Sequence, residues 1–327
     1  MKNILSILLI SGLFIGCIEK RVLMDELTNK GTKGSHLMYY DGKLFSGTGF
    51  DVYTNGQLKI ERNYKDGIKD GLRKNWYENG QLEYEINYKG RKRHGLNKEW
   101  YENGQLKTVR NFKDGNLEGL YKSYYENGQL EFEVYNKDGQ GDGLWKFWTE
   151  NGQLESETSY KDGKPEGSTR NYYDNGQLKS EETYKNGQIN GLSRRWYENG
   201  QLAIEEEYVN TNNKNDGLVK IWYENGQLES EKNYKNGKLV DGSYKTWHEN
   251  GQLKSEENYK SGQVDGVFKW WYENGQLISE KNYKDGQLLD GSWKTWYENG
   301  QLWIEENWKD RKLISKKCWD KNGNITE

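Results

Sequence analysis

Proline occurs once in the 327 residues, and cysteine only twice. With so little proline, polyproline and collagen-type chains are excluded. Two cysteines, Cys17 and Cys318, cannot build a disulfide framework, and Cys318 is expected to pack beside Trp319. Histidine is equally scarce: His36, His94 and His248 stand far apart, without the spacing of a metal site. No phosphate loop, Gly-x-Ser-x-Gly or His-Glu-x-x-His is present. The sequence therefore predicts no catalytic residues, no metal, no cofactor and no enzyme. Neither charge sign dominates, with 48 Lys plus Arg against 51 Asp plus Glu, so nucleic acid is not an expected partner. Apolar residues make up only 32% of the chain, too few for a thick aliphatic core. Aromatics reach 14%, which argues against disorder and for thinly buried β-structure.

What the chain does have is a repeated word. Asn-Gly-Gln-Leu occurs eleven times, its glycine at Gly56, Gly80, Gly104, Gly128, Gly152, Gly176, Gly200, Gly226, Gly251, Gly275 and Gly300. A degenerate copy, Asn322-Gly323-Asn324-Ile325, follows. The usual step is 24 residues, as from Gly56 to Gly80, and three steps are longer. A fixed period of this size marks a repeat architecture. Asn-Gly between alternating segments predicts a two-residue type I′ hairpin turn. In that register Tyr77 faces Leu82, Trp76 faces Glu83, Lys74 faces Glu85 and Gly71 faces Tyr88. One face then carries Gly71, Tyr77, Leu82, Tyr84, Ile86 and Tyr88; the other carries Lys74, Trp76, Glu83 and Glu85.

Two recurrences support the register. A basic residue stands six before the turn glycine from Lys74 to Lys317, and Glu five after it in every full copy except Val109. Opposite charges paired in nearly every hairpin are a register device. A glycine nine before the turn faces an aromatic, as Gly71 faces Tyr88, except where Asn136 stands. The extra residues of the long steps fall between aromatic and glycine, in a looser second connection. Asp-Gly pairs there, such as Asp66-Gly67, are read as turns and not as calcium loops.

Eight tryptophans stand four before the turn glycine: Trp76, Trp100, Trp148, Trp196, Trp222, Trp247, Trp271 and Trp296. They form a candidate binding stripe for protein or glycan. A thin sheet also needs such residues for burial. His248 occupies the tyrosine position of its repeat and is read as a substitution within the sheet.

The N-terminus reads as a targeting segment: a basic start, an apolar run from Ile4 to Ile15, then Gly16-Cys17. Phe14-Ile15-Gly16-Cys17 resembles a bacterial lipobox, which implies cleavage before Cys17 and lipidation of its thiol. The expected organisation is a signal peptide over 1–16, a polar tether over 17–38 with a short helix near Leu23 to Leu27, and a repeat array over 39–327. Tyr-Glu-Asn-Gly-Gln-Leu, followed by Tyr-Lys-Asp-Gly and Asp-Gly-Leu, resembles the variant MORN repeat (membrane occupation and recognition nexus). It is similar to bacterial proteins labelled YwqK-like antitoxins. The resemblance implies an all-β, elongated single-sheet array of antiparallel hairpins. The expected function is that of a lipid-anchored extracytoplasmic protein, at a bacterial outer membrane or cell surface, presenting a β surface to a protein partner. A cell-wall or glycan-binding module, and an antitoxin or immunity-type partner of a toxin, are the alternatives.

Overall fold

The computed structural model describes residues 20–31, 36–208 and 216–326. The expected signal peptide and Cys17 lie outside the described residues. The chain groups into two compact units, residues 1–128 and 129–327, where the repeat suggested one array. Both are all-β, and each is a meander in which hairpin follows hairpin. The one helical turn among the described residues is the 3-10 segment Met24–Glu26, inside the stretch where a short helix was expected.

The outer part of the expected register is correct. Gly71 pairs with Tyr88 and Lys74 with Glu85. The turn itself differs from expectation. Trp76 pairs with Leu82, not Glu83, because the register shifts by one residue beside it. Gly80 N donates to Tyr77 O at 2.9 Å, and Tyr77 N donates to Gln81 O at 2.8 Å. The loop is therefore three residues, Glu78-Asn79-Gly80: a type I turn closed by a glycine bulge. In each Asn-Gly-Gln-Leu turn only the glycine of the Asn-Gly pair has positive φ, 86° at Gly80. The shift moves Leu82 onto the Trp76 face, away from Tyr84, Ile86 and Tyr88.

The type I′ turn belongs to the second connection. Lys65 pairs with Ile68 across Asp66 and Gly67, whose φ values are 50° and 77°. That connection is as tight as a hairpin can be. Its slack lies one step further on, in a bulge containing Gly71 at φ 91°. Between Lys69 and Lys74 four residues oppose the two between Glu61 and Tyr64. In a 25-residue step, five residues between Leu239 and Lys245 oppose two between Glu231 and Tyr234. The additional residue enters the bulge and leaves both turns intact.

The segment expected as a polar tether is folded where it is described. Arg21–Leu23 pairs in parallel with Gly47–Val52, and Thr28–Lys30 pairs with Leu37–Tyr40. Val22 and Leu27 join Phe45 and Tyr64 in a buried cluster. Repeat arrays need atypical terminal units to cover their first hairpin, and this segment does so.

Each turn glycine after the first lies under a glutamine from the turn before it. A Cβ on Gly104 would stand 1.9 Å from Gln81 Oε1, whereas one on Gly56 would meet nothing within 4 Å. We expect Gly56→Ala to cost about 1–2 kcal/mol, the conformational term alone. Gly104→Ala should cost clearly more, and adding Gln81→Ala should recover the excess. Amide exchange in the two turns measures this; equal effects at Gly56 and Gly104 would exclude the stacking.

Candidate interaction surfaces

The repeated side chains serve mainly to join each repeat to the next. Tyr77 Oη donates to Trp100 O at 2.9 Å, and Tyr197 Oη to Trp222 O at 2.8 Å. Asn79 uses both ends of its amide: Oδ1 accepts from Gln81 N at 2.9 Å, and Nδ2 donates to Glu102 O at 3.0 Å. The same pair of bonds recurs from Asn199 and Asn274. His248 fills the tyrosine role as expected, its Nε2 lying 2.8 Å from Trp271 O. A carbonyl only accepts, so Nε2 carries the proton. Burial first, and neighbouring glutamates second, hold the Tyr77, Tyr197 and Tyr223 phenols above their usual pKa, which keeps them donors.

The sheets have two unlike faces. On the ladder face, acid and base alternate in one column across consecutive strands. Glu61, Lys74, Glu85 and Lys98 are successive partners in the first unit. Glu157, Arg170, Glu181, Arg194 and Glu205 are successive partners in the second. Arg170 touches both neighbours, Glu157 at 3.2 Å and Glu181 at 2.8 Å. Such half-exposed pairs contribute roughly 0–1 kcal/mol each. The first repeat has Phe50 where a cation is due, and Arg21 makes good the loss: it pairs with Glu61 and lies 4.7 Å over the Phe50 ring.

All eight candidate tryptophans lie on this ladder face and are half-buried. Seven of them, Trp76, Trp100, Trp196, Trp222, Trp247, Trp271 and Trp296, also have their carbonyls bound by the preceding tyrosine or histidine.

The opposite face keeps an aromatic at the Tyr88 position in nearly every repeat but changes in its other columns. At the Tyr84 position stand Thr108, Ser156, Ile204, Ser230 and Ser279; at the Arg73 position stand Asn97, Trp145, Ser193, Tyr244 and Trp293. It is also the better buried face, holding Ile60, Asn97, Thr108, Ser193, Tyr244 and Ser279. Small and large side chains interleave there, with Trp270 between Ser255 and Ser279. Aromatic pairs cross it: Trp145 with Tyr160 at 4.4 Å, Tyr244 with Tyr259 at 5.5 Å, and Trp293 stacked on Trp308 at 4.8 Å. A motif search cannot find this face, because its signal is variation within a constant frame.

Cys318 is free and half-buried, opposite Ile304. His94 Nδ1 lies 3.6 Å from Asp114 Oδ1. Among the described residues no group of three or more His, Cys, Asp or Glu could hold a metal ion.

Comparison with known families agrees with this architecture. The MORN repeat variant family matches eleven consecutive times, at residues 47–66, 69–89, 93–114, 117–138, 141–162, 165–186, 189–210, 215–236, 240–261, 264–285 and 289–310. The chain belongs to the MORN repeat variant family. No curated protein gives a significant match. Among solved structures the chain is similar to a crystal structure of TcdB2-TccC3, at 13% identity over 85% of this chain and 17% of that one, with a TM-score of 0.19. It is similar to a Photorhabdus luminescens Tc holotoxin pore at 12% identity over 86% and 18%, with a TM-score of 0.20. The chain spans under a fifth of those chains, and superpositions of this quality carry no argument.

Two outcomes test the bonding described above. Tyr223→Phe should cost about 1 kcal/mol, because the Trp247 carbonyl loses its donor. Faster amide exchange in the adjoining turn reads this. Tyr184 and Tyr259 are pushed up to about 12, by burial first and then by hydrogen bonds to Glu182 and Glu257. Their folded values lie above the unfolded value of about 10. The stability they contribute is therefore full below pH ~10 and lost as pH rises through about 12. Glu257→Gln should move the Tyr259 titration downward in ultraviolet difference spectra; an unmoved titration would remove Glu257 as a cause.

Proposed function

We propose that this chain is a non-enzymatic, lipid-anchored, extracytoplasmic repeat protein that binds a protein partner through its variable face. Broad sheet faces built from repeats suit a binding role. The observation that carries the reading is the division of labour between the faces. The ladder face repeats the same ions and the same tryptophans. The other face keeps its backbone and the aromatic at the Tyr88 position and changes its other side chains, which is how a repeat scaffold acquires specificity. The Trp76 to Trp296 stripe is then scaffold, and the partner is met by columns such as those of Arg73 and Tyr84. Anchoring rests on the basic start, the apolar run and Cys17.

Two experiments address the two halves of the proposal. Cys17→Ser should abolish lipid labelling and release the protein from the membrane fraction; unchanged fractionation would overturn the anchor. A photo-crosslinking residue at Val219 or Thr169, on the variable face, should capture a discrete partner in intact cells. The same residue at Lys220 or Arg170, on the ladder face, should not. Capture only from the ladder face would reverse the assignment.

A further inference from the structure

The variable face of the first unit contains a cavity of about 420 Å³ whose chemistry differs from the rest of the surface. Arg62, Lys69 and Arg91 line it, and no carboxylate does. Several arginines elsewhere in this protein are matched by carboxylates: Arg110 by Glu99, Arg170 by Glu157 and Glu181, Arg194 by Glu205. Among the described residues, neither Arg62 nor Lys69 has an acidic partner within ion-pair distance. The Arg62 Nε atom is buried without a hydrogen-bond partner. Arg62 also lies directly opposite Arg73, a like-charge pairing that works against the sheet. Arg73 is at least held by Tyr84 and Asn75; Arg62 has no such support.

The scaffold does not require these cations. Other repeats place Ile86, Val134, Thr158 or Glu182 at the Arg62 position, and Leu117, Pro165, Ile189 or Leu288 at the Lys69 position. Lys69 is exposed, but Arg62 is half-buried, and an unpaired charge there is costly to keep, so an external anion is the simplest account of its presence. Arginine forks and lysine ammonium groups together select carboxylate or phosphate oxygens. The remaining walls are Tyr64, Tyr88, Met24 and Met38, with Gly67 and the polar Asn29 and His36 completing the lining. The volume is that of a small-molecule site.

We propose that this cavity binds a small organic anion, its carboxylate or phosphate head held by Arg62 and Lys69 and its apolar body lying against Tyr64 and Tyr88. This site lies on the face assigned above to a protein partner, but it does not depend on that reading. Calorimetric titration of the full chain at low salt with phenyl phosphate, benzoate and inorganic phosphate tests it. One equivalent of phenyl phosphate or benzoate should bind, more tightly than inorganic phosphate. Arg62→Ile and Lys69→Leu, which install residues that other repeats already use, should each weaken binding at least tenfold. Their unliganded melting temperatures should be no lower than that of the unaltered chain. Should one variant fail to fold, the other carries the comparison. Absence of saturable binding by all three anions, or binding unaffected by a folded variant, would overturn the proposal.

Discussion

Contact between consecutive turns is the constraint on which the rest of this structure depends. A sheet with no second layer has little core, so each hairpin must be held by its neighbours. Here Tyr, Asn and Gln of one turn all reach the following turn: Tyr77 to the Trp100 carbonyl, Asn79 to the Glu102 carbonyl, Gln81 over Gly104. Each of those contacts needs the turn to be identical in length in every copy. That is why, among the described residues, the added length falls in the bulge near Gly242 and Gly291 and not in the Asn-Gly-Gln-Leu turns. Gly104 is thus fixed twice, by its left-handed backbone and by the glutamine above it.

Much of this was legible in the sequence. The Gly71–Tyr88 and Lys74–Glu85 pairs follow from recurrence alone, because a residue type that returns at a fixed offset on both sides of a turn reports a contact. The turn type did not follow. Asn-Gly suits a two-residue type I′ loop and equally the last two residues of a three-residue loop, and those alternatives differ by one residue in register. The difference decides whether Trp76 meets Leu82 or Glu83. The asparagine is kept not for positive φ but for its amide, which bonds within its own turn and to the next one, a purpose no single hairpin reveals. The N-terminal cover was illegible for another reason. Val22-Leu23-Met24 and Leu27 are a short apolar cluster with no repeat signature, and only the exposed edge of the first hairpin gives Val22 and Leu27 something to bury.

The candidate tryptophans were found readily because they repeat, and repetition is also what argues for their scaffold role. The residues that line the cavity of the first unit had no such signal. Arg62, Lys69 and Arg91 are unremarkable in a chain that is 30% charged. Arg62 and Lys69 stand out only when the structure shows that no carboxylate lines the cavity they share.

The ladder also explains why diversity collects on one face. Charges in the alternating column stand opposite a register partner on each side, and Arg170 and Arg194 reach both, so replacing one disturbs two pairings. Val109 is the one break among the glutamates: it stands opposite both Lys98 and Lys122, at the position where the other full repeats place a glutamate. A change of sign there would need compensating changes running outward from both sides. On the opposite face the constraint is volume. A serine beside a tryptophan, as at Ser255 and Trp270, packs as well as an isoleucine beside a threonine. Complementary size can be met by many residue pairs, whereas complementary charge along a continuous column can be met by few. A repeat built this way holds its register with one face and is free to specialise only with the other.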